Sequence, residues 1–192
     1  MNLPCPVFLR TGVVPKLAKR GLVVALAAFT ILPACVLAQS GQSEYAVKGA
    51  FLYNFAKFVQ WPSSAFSESS SPIVIGIFGR DPSNGEIEAT IGSRTLEDRK
   101  VIVRVVSSVR DTSGVQILFV PASSMSRVTE LSQLRNRPTL IVGETEDFAR
   151  RYGYVGFIPD GTRLAFEINA SAARASGLMI SSKLLRLARW VG

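Results

Sequence analysis

The chain has 192 residues and a formal net charge of +8, but its basic residues are scattered, which argues against a nucleic-acid-binding surface. It contains no histidine, which excludes Ser-His and Cys-His catalysis as well as imidazole metal ligands. Its only two cysteines are Cys5 and Cys35, so the chain beyond them has neither a disulfide framework nor a cysteine-based metal site.

Residues 1–38 have the pattern of an export signal peptide. Four basic residues and no acidic one precede the apolar run from Gly21 to Leu32, and Val36-Leu37-Ala38 supplies a small-residue cleavage site. The run is too short to span a bilayer, which needs about 20 apolar residues, so an uncleaved anchor helix is the weaker interpretation. We predict a signal peptide over 1–38 and a single domain over 39–192, whose formal charge is +4 without those four basic residues.

A second interpretation of this segment concerns Cys35. Leu32-Pro33-Ala34-Cys35 approximates a lipoprotein processing site, although Pro33 fits that pattern poorly. Acylation of Cys35 would hold the protein on a membrane surface without making it integral. Cleavage after Ala38 and lipidation at Cys35 remain alternatives.

The first element of the domain is a predicted helix over 44–61. Ser43 is suited to cap it, and Pro62 disfavours helical geometry at the residue before it. Gly49 lies inside the helix at a cost of about 1 kcal/mol relative to alanine, which indicates a close contact between the helix and a sheet. One apolar face is expected from side chains spaced about four apart, namely Val47, Phe51, Phe55, Phe58 and Val59.

Alternating strands and helices follow. Apolar runs predict strands over 73–78, 100–106, 115–120 and 139–142, of which the first and third read as buried on both faces. A short helix capped by Ser83 or Asn84 extends to Ala89, and a second helix over 125–135 carries Val128, Leu131 and Leu134 on one face. A further turn leads into 147–151.

The last part of the chain combines a hairpin with two helices. Strands over 154–158 and 162–168 are joined through Pro159-Asp160-Gly161, in which glycine accepts positive φ. Asn169 caps a helix over 170–176 that ends at Gly177, and Ser181 or Ser182 caps a final amphipathic helix over 183–190. The order of elements predicts one α/β domain, with a central mixed and mostly parallel β-sheet flanked by helices.

Two sets of residues are candidates for binding. Arg163 and Glu167 lie on the same face of a predicted strand, with the small Ala165 between them. They form either an anchor for a small ligand or an ion pair that closes one end of the sheet. On the final helix, Arg186, Arg189 and Trp190 form an edge suited to a partner protein, because interfaces favour arginine and tryptophan; ordinary docking of a terminal helix is the alternative.

The acidic residues Glu144, Glu146 and Asp147 do not have the spacing of a calcium loop, so we interpret them as charges at a helix N-terminus. We expect no metal and no cofactor.

Five segments follow one another along the chain in this order: YAVKGAFLYNFAKFVQWP, IGIFGRDP, ILFVPAS, LIVGETEDFARRYGYVGF and RLAFEINASAARASGLMISSKLLRLARWV. Together they resemble the YfiR-like family over about residues 45–191. The resemblance implies a compact α/β domain without catalytic activity, located in the periplasm as a homodimer. It also implies that the domain binds the periplasmic sensor part of an inner-membrane diguanylate cyclase and represses it, which lowers cyclic di-GMP and restrains biofilm formation.

One departure from the family pattern concerns cysteine. Characterised relatives carry cysteine pairs, including one just ahead of the ILFV strand, whereas this chain has Val115 or its neighbours there. Redox tuning through those disulfides therefore cannot operate in this protein.

Two other function classes remain as alternatives. A periplasmic small-ligand-binding protein is one, although 154 residues are few for two lobes around a cleft. A hydrolase that needs no histidine is the other. Against it, Ser182 and Lys183 are adjacent and would not face each other on a helix, and no nucleophile elbow or Ser-x-x-Lys motif occurs.

Overall fold

The computed structural model describes residues 43–192. The predicted signal peptide and Cys35 lie outside these residues. The helices are α1 (Glu44–Phe58), α2 (Glu86–Ile91), α3 (Phe148–Arg151), α4 (Ala170–Ala175) and α5 (Ser182–Leu185). The strands are β1 (Val59–Gln60), β2 (Ile73–Phe78), β3 (Thr95–Leu96), β4 (Arg99–Val106), β5 (Ile117–Val120), β6 (Leu140–Gly143), β7 (Val155–Asp160), β8 (Arg163–Ile168) and β9 (Met179–Ile180). Three 3₁₀ segments cover Ser63–Ala65, Val109–Thr112 and Ala122–Leu134.

A seven-stranded sheet forms the centre of the domain, in the order β3-β4-β2-β5-β6-β7-β8. The pairs β4-β2, β2-β5, β5-β6 and β6-β7 are parallel, whereas β3 and β8 pair antiparallel at the two edges. Every residue of β2, β5 and β6 is buried, because helices and loops cover both faces of these inner strands. The predicted α/β fold with a mixed, mostly parallel sheet is confirmed.

Helix α1 begins as predicted and ends earlier. Ser43 caps it through its hydroxyl, which accepts a hydrogen bond from the Ala46 amide at 3.3 Å. The helix stops at Phe58 rather than Trp61, since Val59–Gln60 forms β1 and pairs antiparallel with β9. A strand pairing with residues far along the chain thus replaces the last helical turn.

The buried face of α1 also differs from the predicted one. Leu52, Phe55 and Ala56 are buried together with Lys48, whereas Phe51 is only partly buried. A Cβ at Gly49 would lie 3.3 Å from the Cα of Ile87 in α2. The close contact at this glycine therefore joins two helices, and the predicted contact with the sheet is wrong.

The segment predicted as a helix over 125–135 is a 3₁₀ helix from Ala122 to Leu134. Its buried apolar residues Leu131 and Leu134 are three apart, and the partly buried Met125 and Val128 extend the same spacing. A repeat of three matches the 3.0 residues per turn of a 3₁₀ helix better than the 3.6 of an α-helix.

An aromatic cluster joins α1 to the β7-β8 hairpin. Phe55 packs edge-on against Phe166 with ring centroids 5.3 Å apart, and it stacks on Phe157 at 5.8 Å. Phe51 and Phe119 extend the cluster. The hairpin turns at Gly161, whose φ of +61° agrees with the predicted glycine turn.

Among residues 43–192, no helix combines the length and apolarity needed to cross a membrane.

Candidate functional site

The C-terminal residues run as an extended segment along the outer edge of β8. The Arg189 amide donates to the Phe166 carbonyl at 2.9 Å, the Ile168 amide donates to the Trp190 carbonyl at 2.9 Å, and the Gly192 amide donates to the Ile168 carbonyl at 3.0 Å. Helix α5 ends at Leu185, so the predicted helix over 183–190 is wrong beyond its first turn. These main-chain bonds to an otherwise open strand edge compete successfully with continuation of the helix.

The three residues predicted to bind a partner do not share one surface role. Arg189 forms an ion pair with Asp160 on the β7-β8 hairpin. Trp190 lies beneath the guanidinium of Arg150, which is 4.4 Å from the ring centroid. Within residues 43–192 the side chain of Arg186 makes no ion pair or hydrogen bond, and its neighbour Leu187 is 67% exposed. Arg186 is therefore the one of the three whose charge is free for another molecule.

Glu167 is engaged by α3 rather than by its own strand. Its carboxylate accepts hydrogen bonds from Arg150 Nη2 at 2.9 Å and Arg150 Nε at 3.3 Å. The expected ion pair between Arg163 and Glu167 is consequently not formed. The hydrogen bond to Glu167 raises the pKa of Arg150, against a smaller opposing effect of desolvation.

Arg150 thus links three elements, a role that the sequence around it does not predict. It bonds Glu167 on β8, stacks on Trp190 in the C-terminal segment, and lies 3.8 Å from Asp147 at the start of its own helix. Only the Asp147 spacing of three residues is a local signal, since the other two contacts depend on the fold. This cluster fixes the C-terminal segment to the domain.

Asn169 has its predicted capping role. Its Oδ1 accepts from the Ala172 amide at 3.0 Å, and its Nδ2 donates to the Ala149 carbonyl at 3.2 Å. Both ends of the side-chain amide are therefore used within the domain.

A cleft of about 760 Å³ lies between the first turns of α1 and the β7-β8 hairpin. Its walls are mostly apolar, with charged groups at the α1 end, and Arg163 lies on its border. Glu167 is not among the lining residues, so the structure separates the two predicted ligand-binding residues. The lining residues are Glu44, Val47, Lys48, Glu144, Phe157, Ile158, Pro159, Gly161, Thr162, Arg163 and Leu164.

A buried ion pair lies beside this cleft. The side chain of Lys48 is 4% exposed and bonds Glu144, which is 7% exposed, and also the exposed Glu44 at 2.5 Å. The second oxygen of Glu144 accepts from the Ala122 amide at 2.7 Å. Glu144 is therefore the partner of a buried lysine, and the helix N-terminus that it contacts is that of the 3₁₀ helix Ala122–Leu134 rather than that of α3.

The charged form of Lys48 is maintained despite burial. Burial alone would lower the pKa of Lys48, but hydrogen bonds and Coulomb attraction to Glu144 and Glu44 outweigh it and hold that pKa above its usual value. The sequence offers a local signal only for the pair with Glu44, four residues earlier on the same helix, because the other partner, Glu144, is distant in sequence. Burial also raises the pKa of Tyr45, whose ring lies 4.7 Å from the Lys48 ammonium.

Comparison with known proteins gives one family. A family model described as YfiR/HmsC-like matches residues 45–189, which is nearly all of the described chain. A search of curated proteins finds no match to the sequence.

We predict that Lys48→Met destabilises the domain by about 3–5 kcal/mol, because it leaves the buried Glu144 carboxylate without its counter-charge. The double variant Lys48→Met/Glu144→Gln should recover most of this loss, since glutamine keeps an acceptor for the Ala122 amide. Urea denaturation at pH 7 measures both. The control is Lys57→Met, an exposed lysine of the same helix, which should change stability by less than about 0.5 kcal/mol. Equal effects at Lys48 and Lys57 would contradict the assignment.

The same variants carry a pH dependence. Because the folded-state pKa of Lys48 is raised, its stabilisation is fully present below the unfolded-state value of about 10.4 and is lost as the pH rises through the folded-state value. The stability difference between the wild type and Lys48→Met should therefore stay constant from pH 7 to about pH 10 and shrink above it. A difference that shrinks near neutral pH would refute this.

We predict that Arg150→Ala loosens the C-terminal segment, because both the stacking on Trp190 and the bonds to Glu167 are lost. Amide hydrogen exchange of Arg189 and Gly192 should accelerate about fivefold, as expected for roughly 1 kcal/mol of lost cation–π stabilisation. Arg151→Ala is the matched control, because the ion pair of Arg151 is with Asp147, at 3.8 Å, and not with a residue of the C-terminal segment. Unchanged exchange in Arg150→Ala would show that main-chain bonds alone hold the segment.

Proposed function

The chain belongs to the YfiR/HmsC-like family, and we propose that it is a non-catalytic periplasmic regulator that binds the sensor domain of an inner-membrane diguanylate cyclase and represses it. The observation that carries this proposal is the extent of the family match, which runs from α1 to the C-terminal segment. Repression of the cyclase would lower cyclic di-GMP and restrain biofilm formation. The protein would act by binding alone, as a homodimer.

The proposed location rests on the predicted signal peptide. A signal peptide over 1–38 would deliver the domain to the periplasm, where the sensor domain of the cyclase is accessible. Lipidation at Cys35, the alternative processing route, would keep the domain at a membrane surface close to that partner.

The proposed contact surface is the C-terminal segment with Arg186, Arg189 and Trp190. Arg186 and the exposed Leu187 would supply a free charge next to apolar surface, a combination favoured in interfaces. Arg189 and Trp190 would act mainly by holding the segment in place, since Asp160 and Arg150 already engage them. We therefore expect Arg186 to respond most directly in a binding assay.

The cleft favours a second candidate function, binding of a small molecule. A volume of about 760 Å³ with apolar walls and a few charged groups is in the range of ligand pockets. Arg163 at its border retains the predicted role of a ligand contact. Such a ligand could set how strongly the protein binds the cyclase, so the two functions are compatible.

The first test is cellular cyclic di-GMP in the native host with and without this gene. We predict a rise on deletion that the wild-type gene reverses. A gene carrying Arg186→Glu should fail to reverse the rise, because a reversed charge at an interface costs several kcal/mol. Arg80→Glu, an exposed arginine away from the segment, is the matched control and should reverse the rise fully.

Two outcomes would contradict parts of the proposal. No change of cyclic di-GMP on deletion would remove cyclase repression as the function. Full activity of folded Arg186→Glu, checked by circular dichroism of the purified domain, would leave repression intact and remove the C-terminal segment as the contact surface.

A further inference from the structure

The outer edge of β4 is only partly covered. β4 has eight residues, of which β3 pairs with Arg99 and Lys100 alone. One more main-chain bond, from the Val101 amide to the Arg94 carbonyl at 3.0 Å, extends this cover. From Ile102 to Val106 the outer side of the strand has no neighbouring strand within residues 43–192.

The main-chain groups of this edge point in known directions. The Val106 carbonyl accepts from the Gly79 amide at 2.8 Å, so Val106 faces β2, whereas Val101 faces β3. Main-chain groups of successive residues in a strand alternate between the two sides. Val103 and Val105 therefore direct their amides and carbonyls outward, where no described residue bonds them.

Two apolar side chains of this edge are exposed to solvent. Ile102 is 40% exposed and Val105 is 51% exposed. Proteins commonly protect an exposed edge with charged side chains that project across it. Here Arg104 is instead turned back, since its Nη2 donates to the Asp111 carbonyl at 3.1 Å and to the Ser113 carbonyl at 2.9 Å.

The edge also carries two positive charges, those of Lys100 and Arg104. Lys100, Ile102 and Arg104 alternate along β4 and thus share one face. Neither cation forms an ion pair with any residue from 43 to 192, because both acceptors of Arg104 are neutral carbonyls. An added strand that complements this face would carry carboxylates at alternate positions, so that they all lie on the face of the two cations.

We propose that the β4 edge from Ile102 to Val106 is a docking site for an extended segment of a partner protein that carries carboxylates at alternate positions. The segment would add a strand to the sheet through main-chain bonds to Val103 and Val105. One of its carboxylates would pair with Arg104, and another, next to the end of β3, would be reached by the long side chain of Lys100. This site is independent of the C-terminal segment and of the proposed repression of a cyclase.

The test uses the mature protein, residues 39–192, and a blocked peptide of sequence TEVEVET labelled for fluorescence anisotropy. We expect saturable binding that weakens as salt is raised, because exposed ion pairs are screened. A peptide of sequence TKVKVKT should bind at least about tenfold more weakly, as like charges then face Lys100 and Arg104.

Two variants separate the main-chain contribution from the charges. Val105→Pro removes an outward amide that bonds nothing in the domain, so the fold should survive while the peptide binds about tenfold more weakly. Val105→Thr keeps the amide and a β-branched side chain, and it is the matched control with unchanged binding. The double variant Lys100→Glu/Arg104→Glu should invert the preference between the two peptides.

Three results would overturn the proposal. Absence of TEVEVET binding to the wild type would mean that the edge does not accept an acidic strand. Equal binding by Val105→Pro, folded by circular dichroism, would exclude strand addition. A wild-type dimer in sedimentation that becomes a monomer in Val105→Pro would identify a second copy of this chain as the occupant instead. None of these results depends on cyclic di-GMP measurements, so failure here leaves the proposed regulatory function standing.

Discussion

The need to bond the main-chain groups at both edges of the central sheet is the constraint on which the rest of the structure depends. Inner strands such as β5 are hydrogen-bonded to a strand on both sides and buried throughout. Among the described residues, strand β8 has a neighbouring strand of the sheet on one side only, and β4 has one along only part of its outer side. The chain closes the β8 edge with its own last residues, through three hydrogen bonds to Phe166 and Ile168. It closes only the first part of the β4 edge, with the two residues of β3.

The two ion-pair clusters differ in what they do for this sheet. Lys48 and Glu144 are both nearly inaccessible, so the cost of removing them from water offsets much of their attraction, and the pair adds specificity more than stability. It fixes the start of α1 against the end of β6. Arg150 is far more exposed, and its value lies in geometry, because one planar guanidinium bonds Glu167 while stacking on Trp190.

The sequence predicts those features whose causes are local. Continuous apolar runs indicate β2, β5 and β6, and the caps at Ser43 and Asn169 follow from side chains next to the helix ends they serve. Features that depend on distant residues were missed. The final helix has an amphipathic pattern, yet its second half is not helical, because these residues form hydrogen bonds with the edge of β8 instead. Likewise, nothing near Lys48 in the sequence indicates that Glu144 will pair with it. The 3₁₀ segment is intermediate, since its spacing of three is visible in the sequence but is also compatible with one face of an α-helix.

The same constraint bears on how a partner could use the C-terminal segment. Arg189 and Trp190 contact Asp160 and Arg150, so a partner that bound these two side chains would first have to break those contacts, while the main-chain bonds to β8 could remain. A partner that contacts Arg186 and Leu187 avoids that cost, because neither needs to leave an existing contact. Binding at the first pair would therefore be coupled to a loosening of the C-terminal segment, whereas binding at the second would leave the existing contacts in place. Arg186 and Leu187 lie in the turn after α5, where their amides bond Ser182 and Leu184, so contacts there leave the bonds between the C-terminal residues and β8 intact.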